Sequence, residues 1–354
     1  MKIAPIIREL KKQPDMFSCQ LIHTGQHYDN SMSDVFFDEL EIPKPDFHLN
    51  VGSGSHAEQT ARIMIAYEPI CERKKPDLVM VVGDVNSTLA CAIVAKKLNV
   101  KVAHVEAGLR SGDMTMPEEI NRIVTDSITD FYFVTEKSGF DNLVAEGKPE
   151  ENIFFVGHVM IDNLFHQVRK LEDADEESLK FSTELKKQYP EYGIVTLHRP
   201  SNVDDKSTLA EVVSALNEIS LEIPLIFPIH PRTKKNLEEF GVNLSERIVA
   251  TDALPYKQFL SLFKEARVVL TDSGGLQEET TALGIPCLTI RENTERPVTV
   301  TEGTNILVGT SRERIVDEFN NLSSWGEKQA SKPEFWDGNA SERICISLRQ
   351  NFLD

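Results

Sequence analysis

At 354 residues, with hydrophobic residues at 40% and charged residues at 27%, the chain is long enough for two globular cores rather than one. Its formal net charge of −18 opposes a nucleic-acid backbone, whose recognition needs a basic footprint, but allows a small phosphate ligand held by local cations and helix N-termini. No apolar run approaches the roughly 18 residues of a membrane span and no leader-like segment stands at the start, so a cytoplasmic protein binding neither nucleic acid nor membrane is expected.

In chain order, Met1–Leu10 (MKIAPIIREL) places Ile3, Ile6, Ile7 and Leu10 at helical spacing, where parallel α/β domains usually begin with a strand. Near-continuous apolar runs follow at 19–25, 77–83, 101–107, 131–135 and 153–157, each reading as a strand covered on both faces. Between the first two of these, Ser55 and Glu58 have the spacing of a capping box, which marks a helix start. The charged segment 169–192 carries no strand and reads as a connection between domains. Further runs occur at 193–198, 224–230, 247–250, 268–271, 287–290 and 306–309. Helical patterns separate most of the runs, which is the signature of parallel βα units. The expected fold is α/β, with two doubly wound parallel-sheet (Rossmann-like) domains over 1–170 and 171–338 and a final segment over 339–354. Five scattered cysteines without a C-x-x-C pair argue against a disulfide framework or a zinc site, and most should be core residues.

Several strand ends carry candidate chemistry. The strand over 268–271 runs into Asp272, Ser273, Gly274 and Gly275, then a helix. Glycines at such a turn let a phosphate approach backbone N–H groups, Ser273 adds a hydroxyl, and Glu278 and Glu279 lie one turn on, where a carboxylate can accept hydrogen bonds from a ribose. The same residues could simply make a tight turn and favour the helix N-terminus. Asp84 and Glu106 follow two strands at their carboxyl ends, and Glu118 follows Pro117 at a helix start. Three carboxylates at one sheet edge suit acid/base work, although each alone could be a cap, a first-turn charge or, for Glu106, a partner of Arg110. His198-Arg199 and His230-Pro231-Arg232 close two strands of the second half and offer cations to a diphosphate. No G-x-G-x-x-G or G-x-x-x-x-G-K follows a strand, which disfavours a dinucleotide or P-loop site, and no metal-ligand spacing is present.

These segments resemble the non-hydrolysing UDP-N-acetylglucosamine 2-epimerases over nearly the whole chain. The matching stretches are IAPIIREL (3–10), TGQHYD (24–29), PDLVMVVGDVNST (76–88), AHVEAGLRSGD (103–113), PEEINR (117–122), VGHVMIDNL (156–164), VTLHRPSN (195–202), DSGGLQEE (272–279), GIPCLTIRENTERP (284–297) and GTNILVG (303–309). The resemblance implies a GT-B fold with the active site in the interdomain cleft, a C-terminal helix returning to the first domain, a homodimer, and no cofactor. It implies reversible inversion at C2 of the sugar, giving UDP-N-acetylmannosamine. UDP is eliminated to leave a glycal and is then re-added, which requires an acid and a base on opposite faces. By motif match, Asp84, Glu106 and Glu118 form the acid/base set, assisted by His198. Ser273, Gly274 and Gly275 would hold phosphate, Glu279 the ribose and Arg296 the diphosphate or leaving group. Phe259 would pack the uracil, and Lys2 would lie near the nucleotide.

Three departures qualify the match. The family opens with a strand and a Gly-Thr-Arg-Pro-Glu loop ahead of the segment matching 1–10, so an upstream start is expected. His230-Pro231-Arg232 replaces the His-x-Asn-Pro of many bacterial members and matches archaeal members and relatives acting on diacetamido-uronate sugars. GQHYD at 25–29 differs from the GQHR of members activated by their own substrate. Alternatives are a hydrolysing epimerase, a glycosyltransferase, a 2-epimerase of a UDP-diacetamido-uronate sugar, or a UDP-sugar-binding protein without catalysis.

Overall fold

The computed structural model describes residues 2–25, 41–322 and 332–352. Two compact units divide the chain: Met1–Asn163 with Glu334–Asp354, and Leu164–Pro333. The first boundary falls inside the helix Val159–Glu172, so the divisions expected after 170 and 338 lie a few residues downstream of the observed ones.

In the first unit, β1 (Ile22–His23) and β2 (Phe47–His48) form a parallel pair. A second, wholly parallel sheet has the order β3 (Leu78–Val82), β4 (Lys101–Val105), β5 (Phe131–Val134) and β6 (Ile153–Phe155). The run expected over 19–25 contributes only two strand residues, because Cys19 and Gln20 are exposed. Ser55 makes the expected capping box with Glu58 and starts the helix His56–Lys74. Pro117 opens the helix Pro117–Ile128, where its missing N–H costs nothing.

The opening helix Ile3–Leu10 buries Ile6 and Leu10 against Val105, Phe133 and Ile344, the last on the C-terminal helix Ala340–Phe352. That helix is capped within the same unit: Asp162 accepts from the N–H groups of Ala340 at 3.0 Å and Ser341 at 2.6 Å, satisfying two otherwise orphaned donors. Of the GQHYD segment, residues 26–29 lie outside the described residues.

The second unit contains β7 (Gly193–Thr196), β8 (Leu225–Ile229), β9 (Ile248–Asp252), β10 (Val268–Thr271), β11 (Cys287–Thr289) and β12 (Asn305–Leu307). They form one parallel sheet in the order β12-β11-β10-β7-β8-β9. The chain enters at the centre on β7, winds outward to β9, and returns to β10 on the other side. A topological switch point therefore lies between β7 and β10, where open α/β sheets bind ligands outside the strand ends. Val195, Leu225, Phe227, Val268, Leu270 and Leu288 are fully buried in the core, which explains their unbroken apolar runs.

Among the described residues, no helix is long and apolar enough to cross a membrane. Cys71, Cys287 and Cys345 are buried, Cys91 is half-buried and Cys19 is exposed.

Candidate functional site

In the first unit, the carboxyl ends of β3 and β4 and the start of the helix Pro117–Ile128 carry the candidate acids and bases. Gly83, at φ +72°, turns the chain after β3 and presents Asp84, which is half-buried. Asp84 does not cap the next helix; the N-cap is Val85. Its carboxylate instead pairs with Arg122, and its carbonyl accepts from Asn121 Nδ2 at 2.9 Å.

The Arg122 fork also holds Glu119 through Nε at 2.9 Å and a terminal nitrogen at 2.7 Å. Glu119 further accepts from the N–H groups of Ser111 and Gly112, both at 3.0 Å. Burial alone would raise the Glu119 pKa, but these donors outweigh it and hold the group at about 2. It is a fixed anion. Its neighbour Glu118 is half-buried in the first helical turn.

Glu106 is 3% exposed and adopts φ +71°, a left-handed backbone that a non-glycine residue keeps only when its surroundings impose it. Its carboxylate binds Lys2 Nζ at 2.6 Å. Arg110 does not pair with Glu106 but bridges Asp126 and Glu146, each at 2.8 Å. Lys2, expected near the nucleotide, is thus joined to an acid/base candidate, and its ammonium lies 3.3 Å from where a Cβ on Gly83 would stand.

In the second unit, Asp272 organises the switch point. Fully buried at the end of β10, it accepts from the N–H groups of His198 at 3.0 Å and Arg199 at 2.9 Å, both beyond β7. It also meets His198 Nδ1 at 3.0 Å. Arg199 Nε donates to the Asp272 carbonyl at 3.0 Å, and its guanidinium reaches Glu295 at 3.3 Å. Glu295 is in turn held by Arg291 through two 2.8 Å bonds. Burial would raise its pKa, yet the arginines pull it down to about 2.

Ser273 caps the helix Gly274–Leu283, accepting from the Leu276 N–H. Gly274 and Gly275 do not have positive φ, and a Cβ on either would meet nothing within 4 Å. The glycines are therefore not demanded by the turn itself. They leave open space over the backbone N–H groups of a helix N-terminus, which is what a phosphate needs.

One turn on, Glu279 Oε1 accepts from the Tyr256 hydroxyl at 2.8 Å. Burial pushes Glu279 up to about 7, the Tyr256 bond works against that rise, and the Glu278 charge adds to it. Glu278 pairs with Arg296. Phe259 is half-buried and packs on Phe263 with ring centroids 5.3 Å apart. The rings of His198 and His230 lie 6.3 Å apart. His230 Nδ1 accepts from the Arg232 N–H at 3.2 Å, so its side chain caps the helix Pro231–Phe240. Arg232 is turned to Asp204.

The strand ends thus gather Asp84, Glu106, Glu118 and Lys2 in one unit and His198, Arg199, Ser273, Gly274, Gly275, Glu279 and Arg296 in the other. Sequence reasoning missed Arg122, Tyr256 and the organising part of Asp272. Only Arg122 left a signal, three residues after Glu119 in PEEINR.

A family model described as UDP-N-acetylglucosamine 2-epimerase matches residues 8–349. The UDP-N-acetylglucosamine 2-epimerase of Methanococcus maripaludis is 42% identical over 354 residues, 98% of this chain and 94% of that protein. The UDP-2,3-diacetamido-2,3-dideoxy-D-glucuronate 2-epimerase of Pseudomonas aeruginosa is 41% identical over 333 residues, 93% of this chain and 90% of that protein. Among solved structures, the Methanocaldococcus jannaschii UDP-GlcNAc 2-epimerase in complex with UDP-GlcNAc and UDP superposes with a TM-score of 0.84 at 42% identity, covering 99% of this chain and 96% of that one. The two parallel-sheet α/β units are those of the GT-B class expected from the sequence, and the chain belongs to the UDP-N-acetylglucosamine 2-epimerase family.

Proposed function

We propose that the chain reversibly inverts C2 of UDP-N-acetylglucosamine to give UDP-N-acetylmannosamine. The C2 proton is not adjacent to a carbonyl, so its direct removal would be very difficult. Breaking the C1–O bond first, with UDP carrying away the electron pair, gives C1 cationic character and acidifies C2–H. A carboxylate then takes that proton to leave a glycal. For the inverted product, a second acid delivers a proton to the other face of C2 while UDP oxygen re-adds to C1.

The observation that carries this reading is the gathering of Asp84, Glu106 and Glu118 at neighbouring strand and helix ends, in a chain whose other unit offers an open helix N-terminus at its switch point. We assign Ser273, Gly274 and Gly275 to the phosphates, Glu279 to the ribose, Phe259 to the uracil, and Arg296, Arg199 and His198 to the diphosphate and departing UDP. His230 supports that end as a hydrogen-bonding group. A cytoplasmic homodimer supplying an activated sugar for polysaccharide synthesis is the setting proposed for it.

Incubation with UDP-N-acetylglucosamine in D₂O tests the reading. Deuterium at C2 together with UDP-N-acetylmannosamine is expected, and Asp84→Asn should abolish exchange while UDP still binds. Release of free N-acetylmannosamine and UDP would instead mark a hydrolysing enzyme, and tight UDP binding without exchange a binding protein. A second reading, action on a UDP-diacetamido-uronate sugar, is favoured by His230-Pro231-Arg232 and by the 41% identity to the Pseudomonas aeruginosa enzyme. The same assay with that substrate separates the two.

A further inference from the structure

We infer that His104 and Asp126 form a charged positioning pair, buried beneath the strand ends of the first unit, that fixes the two loops carrying Asp84 and Glu106. The inference rests on the acid/base reading of those two carboxylates.

His104 lies on β4 with no accessible surface. Its Nδ1 is 2.6 Å from Asp126 Oδ1, and its Nε2 is 2.8 Å from the carbonyl oxygen of Gly83. A neutral imidazole has one N–H, so it can donate to only one of these two acceptors. An imidazolium satisfies both. Asp126, also without accessible surface, has its other carboxylate oxygen occupied by the Gly108 N–H at 3.0 Å and Arg110 at 2.8 Å. With donors on both oxygens, it has no reason to hold a proton itself.

The charged groups facing His104 are Asp126 and Glu106, with Arg110 on the far side of Asp126. Burial disfavours the imidazolium, but the charge and hydrogen bond of Asp126, the Gly83 carbonyl and the charge of Glu106 together raise the His104 pKa. Burial would raise the Asp126 pKa, but the charges and hydrogen bonds of His104 and Arg110 lower it.

What this pair grips gives it a role. Gly83 immediately precedes Asp84, and Gly108 follows two residues after Glu106. Gly83, Glu106 and Gly108 all have left-handed backbones, at φ +72°, +71° and +78°. Gly108 has no alternative, because a Cβ there would lie 2.1 Å from the Gly139 carbonyl oxygen. A backbone of this kind at Glu106 persists only when its neighbours over-determine it. His104 holds the Gly83 carbonyl on one side, and Asp126 holds the Gly108 N–H on the other. Since Asp126 belongs to the helix that carries Glu118 and Arg122, the pair references all three candidate acids to one buried ion pair.

The test uses the full chain. In ¹⁵N-histidine NMR, His104 should carry a proton on both ring nitrogens from pH 6 to 8. The signal is assigned by its loss in His104→Gln or, if that variant does not fold, by sequential backbone connectivity. His104→Gln and Asp126→Asn should each lower kcat for C2 exchange about 10- to 100-fold while KM and the Kd for UDP stay within about threefold, a loss of the size expected when acid/base groups are misplaced. A neutral ring, exchange within threefold of the parent, or parallel loss of kcat and UDP affinity would each overturn the proposal. Asp84→Asn and Glu106→Gln are measured alongside. Normal exchange in either would remove the acid/base reading itself, whatever the state of His104.

Discussion

The hydroxyl of Tyr256 donates a 2.8 Å hydrogen bond to Glu279 Oε1, joining the helix Tyr256–Phe263 to the helix Gly274–Leu283. Glu279 is 6% exposed, and burial, opposed by the Tyr256 bond, moves it from the ordinary 4.5 up to about 7. In the folded chain this acid keeps its proton at pH values where the unfolded chain has lost it. Stability is therefore unaffected below 4.5, falls as pH rises towards about 7, and stays lowered above that. The loss is on the order of 3 kcal/mol. Glu279→Gln should remove this pH dependence and raise stability at pH 8 by roughly 2–3 kcal/mol. If Glu279 accepts from a ribose, the same variant should bind UDP about 10-fold more weakly at pH 8, where the parent's carboxylate is ionised, since a neutral acceptor is weaker than a charged one. Denaturation at pH 5, 6 and 8 with calorimetric UDP titration measures both. A variant no more stable than its parent at pH 8 would refute the assignment of the cost to this carboxylate.

Gly275 separates a phosphate site from a mere turn. A Cβ there meets nothing within 4 Å, and the residue is in the first turn of a helix. Gly275→Ala should leave stability unchanged or raise it by about 0.5–1 kcal/mol, because alanine loses less backbone entropy on folding. If a phosphate rests on the backbone, the added methyl blocks it, and UDP affinity should drop at least about 10-fold, or roughly 1.4 kcal/mol. Unchanged affinity in a stable variant would mean that these glycines serve only the chain.

Those two sites differ in how legible they were. The strand Val268–Thr271 and its Asp-Ser-Gly-Gly turn could be read directly, because an unbroken apolar run and paired glycines are local signals. The partner of Glu279 could not, since Tyr256 stands 23 residues earlier with nothing local to mark it. Lys2 and Glu106 meet across 104 residues, a relation set by packing of the opening helix and not by spacing. The strand Phe47–His48 escaped notice for a simpler reason: two residues are too few to show any period.

Arg122 should set the position of the acid it holds. Its guanidinium pairs with Asp84 while binding Glu119 through two further bonds. A lysine ammonium has no planar fork and cannot reproduce that geometry. Arg122→Lys should lower kcat about 10- to 100-fold with KM within threefold, since it misplaces Asp84 without removing it. Acid stability offers a second readout. Glu119, held at about 2, stabilises the fold above its ordinary 4.5 and loses that contribution as pH falls towards 2. The parent's stability between pH 5 and 2 should therefore fall more steeply than that of Arg122→Lys. Kinetics in D₂O with acid denaturation of both proteins checks the pair, and full activity in the lysine variant would refute the positioning role.

Trp336 anchors the segment that leads into the C-terminal helix. It is 1% exposed, donates from its indole N–H to the Thr135 carbonyl at 3.3 Å, and meets the His158 ring edge-on with centroids 5.2 Å apart. The preceding residue, Phe335, has φ +61°, and its carbonyl oxygen would lie 2.1 Å from a Cβ on Gly157. The two backbones can come this close only because position 157 is glycine. Trp336→Ala leaves a cavity that this closely fitted backbone cannot readily collapse into, so a loss of about 3–5 kcal/mol is expected. Trp336→Phe keeps most of the apolar volume and should cost less, about 1–2 kcal/mol for the smaller ring and the unpaired Thr135 carbonyl. Urea denaturation measures both, and UDP affinity of the folded fraction should stay within twofold, since Ser273, Gly275 and Glu279 belong to the other unit. An alanine variant within 1 kcal/mol of the parent would show that Trp336 does not anchor the segment.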